Sequence, residues 1–308
     1  MVERRFFCES LQPGRVCLSD DEAHHARNVV RVRVGDGVRL FDGRGMEATA
    51  RIEAVRREAV ELFVERVEPA DERTRPIPVT LAVAMPKGAR QDVLIEKCTE
   101  LGTQAIWPIL TRRSVVRPGP GRPHHWRHVS IAAAKQSRRA YLPQIIEPIP
   151  FNDLLHRIGD FNLTGYGSTD PQAPSLPGLL SRWSWAFGPP VEDENGAPAR
   201  STAILAVELG SMGILPMNHH GRDARATAHF RGSPRLPEHL LLVIGPEGGL
   251  EPDEQALLDA RGARAFSLGA PVLRVETAAI AALAILGACW SNAGGPHPPG
   301  CPQGKPTG

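Results

Sequence analysis

The 308-residue chain has no apolar run long enough to cross a membrane. Its longest apolar helical stretch, Thr277 to Trp290, falls short of the ~20 residues a span needs. It reads instead as a core or subunit-interface helix. The opening residues, Met1 to Arg5, lack the apolar core of a signal peptide. Cysteine pairing is missing too. Cys8, Cys17, Cys98, Cys289 and Cys301 are odd in number and none stands in CxxC spacing. That argues against a disulfide framework or a zinc site, and for a reducing, cytoplasmic compartment. A net charge of +2 is too small to imply a nucleic-acid partner, so the placement of arginine matters more than its total. Hydrophobic content of 42% and charged content of 23% are those of an ordinary globular chain, and the length allows two domains.

What is present is organised around Gly245-Pro-Glu-Gly-Gly-Leu250. The wholly apolar run Leu240 to Ile244 precedes it. Glu251-Pro-Asp-Glu254 and a helical pattern through Leu257, Leu258 and Ala260 follow. This predicts a buried strand, a glycine turn and a helix start. Such a strand belongs in a parallel sheet covered on both faces, and the turn at its carboxyl end is where open α/β sheets place ligands. No Gly-Lys-Ser/Thr follows, which excludes a Walker phosphate loop, and the pattern is not G-x-G-x-x-G. Phe266-Ser-Leu-Gly269 is a second strand running into glycine. The loop Ala270 to Arg274 and the apolar helix Glu276 to Leu286 come after it.

GPEGGLEPDE followed by LGAPVLRVETAAIAAL resembles the carboxyl-terminal signature of the RsmE family, ribosomal RNA uridine N3-methyltransferases of the SPOUT superfamily. The resemblance implies a parallel-sheet domain with a trefoil knot that holds S-adenosylmethionine. It also implies a homodimer acting on 16S rRNA, within the small ribosomal subunit, with no metal and no membrane. It covers roughly 1–182 and 238–290.

Residues 1–70 alternate as half-buried strands at Gly37 to Phe41, Glu47 to Ile52 and Ala59 to Val64. Arg4 to Phe7 opens them and a short helix spans Asp20 to Val30. The resemblance makes this a PUA-like RNA-binding barrel. A charged, proline-bearing linker is expected over 71–78, and the methyltransferase domain over 79–290. In that domain Val79 to Ala84 and Ala105 to Leu110 read as strands, Ala89 to Leu101 and His125 to Ala140 as helices, and Leu163 to Gly165 as the end of a strand. About 184–237 reads as an inserted, disordered excursion with one short strand at Ala203 to Leu209. The tail 291–308 reads as disordered.

Methylating uracil N3 requires a sulfonium donor in a bent pose, an edge-on base, and loss of the N3 proton. Gly245, Glu247, Gly248, Gly249, Leu268, Gly269, Leu273 and Arg274 match the family's cofactor loops, and Gly165 is assigned to a third loop. Core packing alone also accounts for Leu268 and Leu273. Ala132-Ala-Ala-Lys-Gln-Ser-Arg-Arg139 resembles the family's AAEQSGR motif, with Lys135 in place of the usual glutamate and Arg138 in place of glycine. Through it Gln136 and Arg139 become expected catalytic residues, and Glu276, at the start of the last helix, joins them. Ser137, Lys87, Arg112 and Arg113, with Arg4, Arg5, His25, Arg27 and Arg31 of the barrel, become expected RNA contacts. Without the family, the basic helix reads as a solvated face. Glu100, Glu247 and Glu276 are the carboxylates open as proton acceptors. A different SPOUT specificity, or a non-catalytic RNA-binding assembly factor, are the competing readings. Adjacent histidines on a helix diverge, so His24 and His25 do not make a metal site.

Overall fold

The computed structural model describes residues 4–119, 121–180 and 237–292. Two sheets organise them. The first holds β1 (Arg5–Phe7), β2 (Gly14–Ser19), β3 (Gly37–Phe41), β4 (Met46–Val55) and β5 (Ala59–Pro69), in the order β1-β3-β4-β5-β2. β1 lies parallel to β3 and the other pairs are antiparallel. On β5, Val60, Leu62 and Val64 point inward at every second position, as a strand with one buried face requires. They meet Phe6, Leu18, Leu40 and Ile52, and a cap built from α1 (Asp20–His24) and a π-helical turn (His25–Val30) supplies Ala23 and Ala26. The expected single helix over 20–30 is therefore two pieces. The turn ends at Arg31, held left-handed at φ 57°.

The second sheet is parallel throughout. It holds β6 (Ile77–Val83), β7 (Thr103–Leu110), β8 (Gln144–Ile145), β10 (Leu163–Gly167), β11 (Leu240–Ile244) and β12 (Arg264–Phe266), in the order β12-β10-β11-β6-β7-β8, with the short β9 (Ile149–Pro150) beside β7. Residue alternation along β6 and β11 divides the core in two. Val79, Leu81, Val83, Leu240, Leu242 and Ile244 face α2 (Arg90–Leu101), α3 (Arg122–Ser137) and α6 (Val275–Asn292). Ala82, Ala84, Leu241 and Val243 face α4 (Phe151–Arg157) and α5 (Pro252–Ala260). This is the doubly covered sheet that the apolar run Leu240 to Ile244 implied. Tyr166 ties β10 to α5 through a 3.0 Å hydrogen bond from its hydroxyl to Asp259. Burial first, then that carboxylate, pushes its phenol up to about 12.

Several boundaries shift. The expected linker already contains structure: a 3-10 turn at Glu72–Thr74, and β6 from Ile77. α3 begins at Arg122 and stops at Ser137, because Arg138 turns left-handed at φ 59°. β12 stops at Phe266, so Ser267 to Gly269 belong to the loop. The expected strand at Ala203 to Leu209, nearly all of the 184–237 segment, and the tail beyond 292 lie outside the described residues. Cys8, Cys17, Cys98 and Cys289 are all free thiols.

The sheets are joined through main chain at one turn, and by side chains beside it, among them Lys135 paired with Glu22 at 2.6 Å. The carboxylate of Asp42 accepts from the backbone N–H groups of Arg44 (2.7 Å) and Met46 (3.0 Å), which closes the β3–β4 turn. That turn docks on the chain after α3: Gly45 N–H donates to Ala140 O, and Leu142 N–H to Gly43 O. Gly45 has φ 99°, and a Cβ there would lie 2.2 Å from the Tyr141 ring. Gly45→Ala combines left-handed strain of about 1–2 kcal/mol with displacement of that ring. A loss of at least about 2 kcal/mol in urea unfolding is expected, and an unchanged midpoint would show that the turn does not dock there.

Candidate functional site

Because the second sheet is parallel, the loops after β6, β7, β10, β11 and β12 emerge on one edge, its carboxyl edge. The loop 245–250 leaves β11 and is folded by a 2.8 Å bond from Gly249 N–H to Pro246 O. Gly249 stands at φ 73° with nothing within 4 Å of where a Cβ would sit. A Cβ on Gly245 would press on Leu250 at 3.1 Å, and one on Gly248 would touch Arg113 at 3.4 Å. Three glycines thus serve three purposes: a tight exit, a close neighbour, and a left-handed turn bare toward solvent.

The helix after this loop starts with a capping box. Glu251 and Glu254 exchange backbone-to-carboxylate bonds across the first turn of α5. The two arginines after β7 lock onto it. Arg113 grips Glu251 with two bonds of 2.8 and 2.9 Å and donates to Gly248 O at 2.6 Å. Arg112 pairs with Asp253 at 2.6 Å, and its N–H donates to Glu254. This arginine holds the Asp253 carboxyl below the usual range. Arg112 and Arg113 were expected to contact phosphate; in the structure their forks hold the glycine loop and α5.

The second loop, 267–274, leaves β12. Gly269 sits at φ 118°, its N–H bonded to the Ser267 hydroxyl at 3.1 Å. Leu268 packs against the core cluster, Leu273 is half-buried and Arg274 is exposed. Glu276 lies in the first turn of α6 and is buried. Its Oε2 has no hydrogen-bond partner among the described residues. Arg90, at the start of α2, reaches the first loop and the start of α6, just after the second loop: Nη1 is 2.5 Å from Glu247 and 3.7 Å from Glu276. Arg90 holds the Glu247 carboxyl below its ordinary value, and Glu247 in turn raises Arg90. Lys87 is exposed in the preceding loop and adds positive potential at Glu247. Sequence reasoning passed over Arg90; its position just past the Met85–Gly88 turn was the available signal.

Other expected site residues lie elsewhere. Gly165 is not in a loop. It sits mid-strand in β10, paired with Leu242 and Arg264, and a Cβ there would meet Leu179 and Phe266 at 3.2 Å. It is glycine for close packing.

Arg139 does not face the glycine loops. It lies at the amino edge of the sheet, where Ile77 N–H bonds Gly102 O, so the length of β6, roughly 20 Å, separates it from Gly245. Its guanidinium donates to Glu100 O (2.6 Å) and Thr74 O (3.2 Å), and a Cβ on Gly102 would lie 2.2 Å from it. Burial lowers its affinity for its proton. The motif's arginine is a staple within this chain. Gln136 is exposed on the last turn of α3. Ser137 spends its hydroxyl on Ala133 O at 2.7 Å. Glu100 is at the same amino edge, bridged to Lys97 at 2.9 Å.

In the barrel, Arg5 was expected to contact RNA; its side chain is buried against Glu47 (2.6 Å), the Phe41 ring and Arg139 O, so its guanidinium is engaged within the chain. Arg4 pairs with Asp36 and Arg27 caps the Arg57 carbonyl. His25 packs on Phe6, and burial lowers its pKa, so its ring tends to the neutral form. Arg31 is exposed and forms no ion pair among the described residues. No group of three metal-ligating side chains gathers among the described residues.

Two family models match this chain. One, described as an RNA methyltransferase domain, matches 73–189 and 206–287; the other, an RNA methyltransferase PUA domain, matches 18–65. The ribosomal RNA small subunit methyltransferase E of Mycobacterium bovis is 33% identical over 301 residues, covering 95% of this chain and 94% of the relative. Its namesake from Synechocystis is 29% identical over 280 residues, covering 91% and 75%. Among solved structures, the ribosomal RNA small subunit methyltransferase E of Neisseria gonorrhoeae bound to S-adenosyl methionine superposes with a TM-score of 0.69. It is 25% identical and covers 94% of this chain and 98% of its own.

The staple makes a direct prediction. Arg139→Met keeps the bulk but leaves the carbonyls of Glu100 and Thr74 without their donor. A loss of about 2–3 kcal/mol in denaturant unfolding is expected. A variant with full stability would show that this side chain is free for another role.

Proposed function

From the premise that this chain belongs to the RNA methyltransferase family, we propose that it methylates N3 of a uridine in 16S ribosomal RNA, using S-adenosylmethionine. The observation that carries the reading is the meeting of the loops 245–250 and 267–274 on one edge of the sheet, with Glu247 and Glu276 joined by one arginine. The residues suit the donor. Gly249 presents open backbone, Gly269 a left-handed turn, and Glu276 a buried oxygen that lacks a donor. Gly245, Gly248, Leu268, Leu273 and Arg274 complete the proposed cradle. When bound, S-adenosylmethionine supplies an electrophilic methyl group on sulfonium sulfur. The chain must position it, exclude water and accept a proton. Glu100 is remote from this edge, which leaves Glu247 and Glu276 as the carboxylates able to take the uracil N3 proton.

The domain division follows the two sheets: a barrel over 1–70 to hold RNA, and 79–290 to carry the donor. Arg31 and Lys87 are the proposed phosphate contacts, since both are exposed. The enzyme acts as a cytoplasmic homodimer on the small subunit. Its apolar helix α6 keeps Thr277, Ala284 and Ala288 exposed, a face without charge for a second copy. Among the described residues no helix is long and apolar enough to cross a membrane.

Calorimetry with S-adenosylmethionine tests the pocket, and mass spectrometry of small-subunit RNA with and without the gene tests the product. Gly249→Val places a branched side chain where a ligand must approach backbone and forces it to φ 73°, so donor affinity should fall and stability should drop by about 1–2 kcal/mol while the fold persists. Arg31→Glu should weaken RNA binding and reduce its salt slope by about 1, with donor affinity unchanged. A fully retained donor affinity in the first variant removes 245–250 from the pocket. An RNA affinity equal to wild type at every salt concentration removes Arg31 from the interface.

A further inference from the structure

We infer that Arg90 is a positioning residue: one guanidinium clasps the first donor loop to the start of α6, just after the second loop, and sets the orientation of Glu276. The inference rests on the proposed function and adds to it a residue on neither loop. Arg90 belongs to α2, yet its Nη1 lies 2.5 Å from Glu247 of the first loop and 3.7 Å from Glu276, which follows the second. The two carboxylates differ in surroundings. Glu247 is about half exposed at 53%, whereas the Glu276 side chain is 11% exposed. A buried carboxylate without a countercharge is unfavourable, and a second carboxylate beside it makes it more so. Arg90 offsets both effects at once.

Its geometry also divides the oxygens of Glu276. Oε1 faces the guanidinium and Oε2 is left without a donor among the described residues. An orphaned buried oxygen in a native fold requires an explanation. Here Arg90 fixes the carboxylate so that this oxygen stays available for a hydrogen-bond donor of the bound molecule. The opposite arrangement, with Glu276 wholly satisfied by protein, would leave nothing to recognise a ligand.

Arg90 touches neither the methyl group nor the base, so it acts through the loops. The expected kinetics are a raised KM for the donor and an unchanged KM for RNA. Arg90→Met is isosteric enough to keep the packing of α2, and it should raise the donor's Kd about tenfold. Arg90→Lys restores charge without the fork and should recover part of the loss. The decisive measurement is a double-mutant cycle with full-length protein: the cost of Arg90→Met measured by calorimetry in wild type and in Glu276→Gln. If Arg90 works through Glu276, that cost shrinks at least threefold in the second background. Equal costs in both backgrounds overturn the clasp, as does a Kd unchanged in Arg90→Met. A fall in kcat at unchanged donor KM also overturns it. S-adenosylhomocysteine serves as the second probe and should lose affinity in parallel. A wild-type chain that binds neither probe refutes the donor reading and the clasp together, whereas a wild type that binds and a variant that binds equally well refutes the clasp alone.

Discussion

Burial of five consecutive residues, Leu240 to Ile244, on both faces of a sheet is the constraint on which the site depends. A strand covered on both sides has no freedom to slide. A one-residue slip would exchange the residues facing α2 and α6 for those facing α4 and α5. β11 is also wedged between β10 and β6, so its register is fixed by hydrogen bonds along both edges. The glycine loop therefore begins at a fixed height, where β6 also ends: Val83 pairs with Ile244, and Ala84 N–H bonds Ile244 O. That is why α2 and its Arg90 start within reach of a loop more than 150 positions later in the chain.

Arginine does three different kinds of work here, and the partner of each separates them. Arg139 and Arg5 are withdrawn from solvent and satisfy main-chain oxygens, which ties the barrel, the amino edge and α2 into one body. Arg112, Arg113 and Arg90 pair with carboxylates around the loops and shape them. Arg31 is left to solvent. A net charge of +2 hid this division, because most of these cations are matched locally by acids.

Much of the scaffold was legible. Leu240 to Ile244 ends where its apolar run meets glycine, and the α5 start at Pro252 follows from Glu251-Pro-Asp-Glu254, which the structure completes as a capping box. The alternation in β3 and β5 also matched the observed strands, although β5 continues to Pro69. β2 was missed because six residues with an arginine and a cysteine carry little alternation. The site was only half legible. Residue type marks glycines, but a strand glycine such as Gly165 and a loop glycine such as Gly249 look alike until their neighbours are known. Arg139 was read as a chemical residue because its partners are backbone carbonyls from Glu100 and Thr74, which no side-chain pattern reveals. Arg90 escaped notice because its partners stand 157 and 186 positions away, and only the parallel order of β6 and β11 brings them near.

The seam at Gly45 has a consequence for how a bound polynucleotide would be presented. The turn and the chain after α3 meet backbone to backbone, through Gly45 to Ala140 and Leu142 to Gly43, with the Tyr141 ring lying where a side chain on Gly45 would be. Side chains reinforce the seam: Arg5 donates to Arg139 O, Lys135 pairs with Glu22 at 2.6 Å and Arg127 with Glu9 at 3.0 Å. Barrel residues away from these contacts can change charge or shape without touching the mounting, whereas Arg5, Glu9 and Glu22 belong to it. A polynucleotide held on the barrel would be aimed by a seam that its outward residues do not share.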